Sequence, residues 1–81
     1  MEPVALSVEN IYVPVKLRKT LDAANVETIA ESIMENGLEN PIHVRRDKER
    51  YVLVAGLHRF EAMKALGEAE IEVFIVGARL F

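Results

Sequence analysis

A strand that passes through a single glycine into a helix is the feature that most constrains this fold. Residues 51–55 are apolar at every position, which is typical of a strand covered on both faces. Gly56 ends that strand, and a helix is predicted over residues 58–66 before Gly67 stops it. Its buried stripe comprises Phe60, Ala62, Met63 and Leu66. The chain is therefore predicted to combine strands with helices.

The clearest helical pattern covers residues 23–36. Its predicted buried stripe has apolar side chains three and four positions apart, at Val26, Ile29, Ala30, Ile33 and Met34. Glutamates recur every four residues on the opposite face, which predicts a solvated surface. Asp22 or Asn25 can cap the start, and Asn36-Gly37-Leu38 has the form of a left-handed C-terminal cap. The sequence thus specifies both helix ends.

Three further segments read as strands, at residues 8–13, 41–46 and 71–76. A charged turn at residues 47–50 predicts that the second of them pairs with residues 51–55 as a hairpin. The inward-facing side chains of the last strand are predicted to be Ile71, Val73 and Ile75. The order is β-α-β-β-α-β, which predicts an α+β protein with a small mixed sheet and two helices.

Size and composition indicate a single domain. A chain of 81 residues has room for only one core. The 51% hydrophobic and 28% charged residues exclude a disordered tail or a low-complexity linker. The predicted core covers about residues 8–76. The apolar end Leu80-Phe81 favours a domain excised from a longer protein.

Charge and cysteine content limit the classes of function. A net charge of −3 excludes a protein that coats nucleic acid over its whole surface. The absence of cysteine excludes a disulfide scaffold and a cysteine nucleophile, and it fits a reducing compartment. No apolar run reaches the ~20 residues that span a membrane, and no export signal opens the chain. A cytoplasmic protein with no membrane association is expected.

The glycine junction also predicts an anion-binding site. Unpaired N–H groups of the first helical turn carry about half a positive charge, and Gly56 lets the backbone approach a ligand closely. Arg59 offers several N–H donors to phosphate oxygens, and His58 adds a donor when protonated. A turn glycine, a surface histidine and a solvated arginine are the alternative for these three residues.

A basic loop at residues 16–19 is the second candidate for this site. Its Arg18 can close over the anion if strands 8–13 and 51–55 lie side by side. A solvated loop is the alternative, because lysine and arginine are mostly exposed in proteins. The neighbouring pair Arg45 and Arg46 can contact nucleic acid or another subunit, but we favour a role in protecting an edge hairpin from aggregation.

Metal binding by the protein alone is not expected. His43 and His58 share no ligand spacing, and neither has paired carboxylates beside it. A nucleotide can still bring its own magnesium ion. Nucleophilic catalysis is not readable either, because Ser7 and Ser32 have no evident base.

One long stretch, Tyr51–Gly67, joins a strand ending in Ala-Gly to a Gly-x-His-Arg-x-x-Ala box and a helix ending in Leu-Gly. Together with Val8–Ile11, Leu21-Asp22 and Gly37–Val44, it resembles the ParB/sulfiredoxin superfamily over roughly residues 8–76. The resemblance implies a ParB-like N-terminal nucleotide-binding domain. Its implied ligand is CTP or ATP with Mg²⁺.

In that family the box opens a helix whose N-terminus and arginine bind nucleotide phosphates. The implied binding residues are therefore Gly56, His58 and Arg59 at the start of helix 58–66, and Arg18 matches a phosphate-contacting arginine by position. The residue chemistry and the family resemblance therefore indicate the same junction at Gly56.

The box also departs from both branches of the superfamily. ParB proteins carry Gly-Glu-Arg-Arg-x-Arg-Ala, whereas here Leu57 replaces the acid, His58 the first arginine and Glu61 the last. The loss of two positive charges weakens a triphosphate site. Leu57 also stands where sulfiredoxin has its catalytic cysteine, so sulfinic acid reduction is excluded.

The resemblance implies a bacterial or phage protein acting in DNA partition or DNA-linked regulation. DNA recognition in the family belongs to a helical domain outside this region, and a homodimer is compatible with the resemblance. One alternative is a small phosphotransferase or nuclease-like enzyme of the same fold, with Glu9, Glu39 and Glu61 as undistinguished candidate bases. The other is an interaction module with a vestigial pocket.

Overall fold

The computed structural model describes residues 2–77, which form five strands and three helices. In chain order these are β1 (Val4–Ser7), β2 (Ile11–Tyr12), α1 (Val15–Arg18), α2 (Ala23–Asn36), β3 (Ile42–Asp47), β4 (Arg50–Ala55), α3 (Leu57–Ala65) and β5 (Glu70–Val76). The predicted α+β class with a small mixed sheet is confirmed. The predicted number of two helices is wrong, because α1 forms where a basic loop at residues 16–19 was expected. No helix among these residues is long and apolar enough to cross a membrane. The prediction drawn from Leu80-Phe81 lies outside the described residues.

The single N-terminal strand predicted over residues 8–13 is wrong. Val8–Asn10 form a 3-10 turn that separates β1 from β2. β1 pairs antiparallel with β5, with Val4 opposite Val73. The local pattern missed β1 because its partner lies at the other end of the chain.

The sheet is mixed, with strand order β1-β5-β3-β4-β2. β3 and β4 form the predicted antiparallel hairpin, β5 runs parallel to β3, and β2 runs parallel to β4. β1 and β2 lie at opposite edges although only the turn Val8–Asn10 separates them along the chain. The sheet therefore curls so that its two edges approach each other.

The core contains side chains from β3, β4, β5 and α3. The largest fully buried side chains are Phe60, Ile42, Leu53, Ile71, Val44 and Val73. Two burial predictions are wrong, because Ile75 is 38% exposed and Val54 is 43% exposed. β1 starts opposite Val73 and β2 ends opposite Val52, so neither edge strand reaches these two side chains.

Helix α2 has its predicted bounds, Ala23–Asn36. The Asp22 Oδ1 atom accepts the Ala24 N–H at 3.1 Å, which confirms Asp22 as the cap. At the other end, Gly37 has φ +78° and its N–H donates to the Ile33 carbonyl at 2.7 Å.

The inner face of α2 is narrower than predicted. The half-buried side chains are Val26, Ile29, Ala30 and Ile33, and no α2 residue is fully buried. Met34 is 73% exposed, so its placement in the buried stripe is wrong. Packing against α3 covers only part of the apolar stripe, because the helix turns Met34 away from that contact.

Candidate functional site

A cleft of about 420 Å³ opens where α3 begins. Three of the four predicted binding residues, Gly56, His58 and Arg59, line it. The opposite wall comes from α2 and from the loop that follows it, Gly37–Asn40. The structure therefore brings the start of α3 and the inner face of α2 together around one open space.

Gly56 is required at its position by both conformation and space. Its φ of +101° and ψ of +31° lie in the left-handed region, which side chains disfavour. A Cβ atom there would lie 2.8 Å from Ile42 Cγ2 and 3.1 Å from Arg59 Nη2. The glycine thus lets both the buried strand β3 and the arginine approach the helix start.

The first turn of α3 has N–H groups available for an anion. Gly56 is the N-cap and supplies no capping side chain. The Phe60 N–H donates to the Gly56 carbonyl at 2.9 Å, so the earlier N–H groups of the turn precede the helical ladder. Such groups and the helix dipole favour negative charge.

Arg59 is held by backbone carbonyls, and no carboxylate pairs with it among residues 2–77. Its Nη1 donates to the Asn40 carbonyl at 2.9 Å and to the Pro41 carbonyl at 3.5 Å. Its Nη2 lies beside Gly56. The guanidinium therefore keeps its full charge at the cleft, with further N–H donors beyond those on Nη1.

One ring nitrogen of His58 already has a partner within the protein. Its Nε2 accepts the backbone N–H of Asp22 at 3.1 Å. A nitrogen that accepts an N–H carries no proton itself, so only Nδ1 is left to donate.

Arg18 does not line the cleft. The sequence predicted that Arg18 could close over the anion if the first strand lay beside residues 51–55, and β2 does lie beside β4. However, its Nη2 donates to the Val13 carbonyl at 3.3 Å, which ties the side chain to its own segment.

The three candidate bases are now distinguished by position. Glu39 lines the cleft, whereas Glu61 lies 3.9 Å from Lys64 as an ion pair. Glu9 borders a separate depression beside Tyr12. Only Glu39 therefore shares the cleft with Arg59.

The sequence pattern missed the contribution of α2 to the cleft. Asn25, Ile29 and Ser32 are spaced four and three residues apart, so they share one face of the helix, and all three line the cleft. That spacing is the signal in the sequence, but Ile29 is also part of the predicted apolar stripe of α2. The carbonyls that hold Arg59 left no signal, because every residue carries one.

No group of three or more potential metal ligands occurs within residues 2–77. Glu39 is the one carboxylate among the side chains that line the cleft in this part of the chain. A magnesium ion at this site would therefore depend on phosphate oxygens and water for most of its ligands.

Comparison with known proteins identifies close similarity in sequence. A family profile described as ParB N-terminal domain matches residues 2–79. A Campylobacter jejuni protein named "Probable chromosome-partitioning protein ParB" is 42% identical over 62 residues, which cover 76% of this chain and 22% of that protein. The chain thus spans less than a quarter of the length of this relative.

Two solved structures share the fold. Sulfiredoxin from Arabidopsis thaliana has a TM-score of 0.86 and 31% identity, covering 96% of this chain and 88% of that one. The C-terminally truncated chromosome-partitioning protein ParB from Caulobacter crescentus, complexed with CTP-γ-S, has a TM-score of 0.83 and 24% identity. The match covers 98% of this chain and 46% of the Caulobacter chain.

Proposed function

The chain belongs to the ParB N-terminal domain family, and from this membership we propose that it binds a nucleoside triphosphate and acts in DNA partition or a related DNA-linked process. The phosphates bind at the N-terminus of α3, where Gly56 gives backbone access and Arg59 is the principal side-chain donor. His58 and Arg18 are the further candidates for this site. CTP is the first nucleotide to test, because the Caulobacter ParB structure holds CTP-γ-S; ATP is the second.

The observation that carries this proposal is the environment of the Arg59 guanidinium. It is anchored by the carbonyls of Asn40 and Pro41, so its position is fixed without neutralising its charge. It lies directly against Gly56, the cap of a helix whose first N–H groups have no side-chain partner. A fixed cation beside helical N–H groups that lack side-chain partners favours phosphate binding.

Glu39 is expected to oppose phosphate binding. Its carboxylate lines the same cleft as Arg59 and repels a polyanion directly. A magnesium ion bound to the nucleotide would reduce this repulsion, because its positive charge would offset part of the phosphate charge. We therefore expect binding to be tighter with Mg²⁺ than with the metal-free nucleotide.

The proposal is tested by titrating CTP, ATP and ADP with Mg²⁺ into the wild type, Arg59→Ala and Arg46→Ala by calorimetry. Arg59→Ala should weaken binding by about ten- to a hundredfold, because hydrogen bonds to charged groups contribute ~1.5–3 kcal/mol. Arg46→Ala removes the same charge from an exposed side chain that donates to the Tyr51 hydroxyl at 2.8 Å and does not line the cleft. It should leave the affinity within about twofold of wild type.

Equal affinity of Arg59→Ala and wild type would contradict the assignment of the site. Since Arg59 also supports the loop at Asn40 and Pro41, thermal unfolding of each variant is needed to separate lost binding from lost structure. Arg59→Lys keeps the charge and loses the forked geometry, so an intermediate affinity is expected.

A phosphotransferase is the second candidate, and the position of Glu39 favours it. A general base must lie within reach of the acceptor, and Glu39 is the one candidate base that shares the cleft with Arg59. Multiple turnover of ATP or CTP that is lost in Glu39→Gln while binding persists would support this enzyme. Binding without turnover supports the first proposal, and no nucleotide binding leaves an interaction module.

The roles that we propose beyond nucleotide binding are DNA recognition, cellular location and assembly. We assign sequence-specific DNA recognition to regions outside these residues, because the chain spans only 22% of its partitioning relative. We also propose that the protein is cytoplasmic and forms a homodimer.

A further inference from the structure

The first turn of α3 holds helix α2 at both of its ends. His58 accepts the N–H of Asp22, the residue that caps the start of α2. Arg59 donates to the carbonyls of Asn40 and Pro41, in the loop that follows α2. Among residues 2–77, His58 and Arg59 are the two side chains that form hydrogen bonds to residues more than ten positions away.

Among the described residues, the backbone hydrogen bonds of the segment before α2 are all local. The N–H groups of residues 18–21 donate to carbonyls three or four residues earlier, ending with Leu21 to Arg18 at 3.2 Å. The N–H of Asp22 does not bond to a nearby carbonyl in this way and donates to His58 Nε2 instead. The segment Val15–Asp22 is therefore joined to the start of α3 by this one recorded side-chain bond.

We propose that His58 is a positioning residue that fixes the start of α2 against the cleft. This inference rests on the proposed nucleotide site. Asp22 both donates to His58 and caps α2 through its carboxylate, so the bond fixes the first turn of the helix. Asn25, three residues further on, lines the cleft and is positioned with that turn.

The bond also sets the tautomer of the imidazole. Because Nε2 accepts, the proton of neutral His58 lies on Nδ1. The chain has two histidines, and His43 is the internal reference. The His43 ring packs edge-on against Phe74 at 5.6 Å, and no side-chain hydrogen bond of His43 is recorded in the described part of the chain.

The tautomer is read from imidazole ¹⁵N shifts of the nucleotide-free protein, with His43→Gln to assign the two rings. His58 should show an unprotonated Nε2 and a protonated Nδ1. Amide exchange at Asp22 should be about fivefold slower in the wild type than in His58→Ala, as one hydrogen bond implies. Neither measurement depends on nucleotide binding, so the positioning role and the proposed function can fail separately.

Two substitutions separate positioning from direct phosphate contact. His58→Gln places an amide oxygen near the position of Nε2 and keeps an acceptor for Asp22. His58→Asn places its amide near Nδ1, which keeps a donor and removes the acceptor. Affinity for CTP with Mg²⁺ should be about fivefold lower in His58→Asn than in His58→Gln.

The reverse order, with His58→Asn binding like wild type and His58→Gln binding weakly, would make His58 a phosphate ligand and overturn the proposal. Unchanged Asp22 exchange in His58→Ala, or a proton on Nε2 in the free protein, would overturn it as well. If the wild type binds no nucleotide, the shifts and the exchange rates still decide whether His58 holds α2.

Discussion

Two requirements meet at one residue, Gly56. The backbone there must adopt a left-handed conformation to turn from β4 into α3, and the space where a side chain would project is filled by Ile42 and Arg59. The same absence of a side chain that allows the turn also allows the guanidinium to lie against the helix cap. The turn into α3 and the proposed phosphate site therefore depend on the same missing side chain.

Gly56→Ala should lower the free energy of unfolding by about 2–4 kcal/mol, from backbone strain plus overpacking. The matched control is Gly67→Ala, which has φ +80° but nothing within 4 Å of its Cβ position. That control should lose about 1 kcal/mol from strain alone. Urea denaturation of both variants measures the difference, and equal losses would show that the Ile42 contact relaxes without cost.

At the scale of elements, α2 is the least embedded part of the site. It has no buried residue, whereas α3 buries Leu57, Phe60, Ala62 and Met63. Its position relies on packing against α3 and on bonds at its ends. A helix with no buried residue can shift its position around a ligand more readily than the buried strands can.

The cap of α2 gives a direct test of this balance. Asp22→Ala should cost about 1 kcal/mol of stability, because the Ala24 N–H loses its acceptor. Asp22→Asn keeps a capping oxygen and should remain within about 0.5 kcal/mol of wild type. Chemical denaturation followed by circular dichroism distinguishes the two, and an equal loss in both would show that the carboxylate charge, not the cap, stabilises the helix.

Elements with local signals were predictable, and elements with distant partners were not. The bounds of α2 followed from Asp22 and Gly37, which act within one turn of the helix. β1 was missed because its strand structure depends on β5. For the site, Gly56 and Arg59 were visible as a motif, but the bond from Asp22 to His58 uses a backbone N–H that no sequence pattern marks.

At the scale of the whole molecule, the N-terminal segment closes the curled sheet at both edges. β1 covers β5 on one side, and β2 covers β4 on the other. Leu6 of β1 packs against the main core, while the adjacent Ala5 faces the opposite side of the sheet. The segment thus contributes to the core as well as to the sheet.

Leu6→Ala should therefore destabilise the domain by about 1–2 kcal/mol, less than a fully buried leucine because Leu6 is only half-buried. Ala5→Lys should change stability by no more than about 0.5 kcal/mol, since it projects opposite Glu72 on the other face. Thermal unfolding of the two variants provides the comparison. A larger loss in Ala5→Lys than in Leu6→Ala would mean that the two faces of β1 are reversed.

The pairing of β1 with β5 has a consequence for how the protein is made. Residues 4–7 are synthesised well before residues 70–73, which are their hydrogen-bonding partners in the sheet. At about 5–20 residues per second, translation leaves residues 4–7 without their β5 partner for several seconds. The nascent chain can form its hairpin and helices earlier, but the sheet acquires its last strand, β1, only after β5 has emerged.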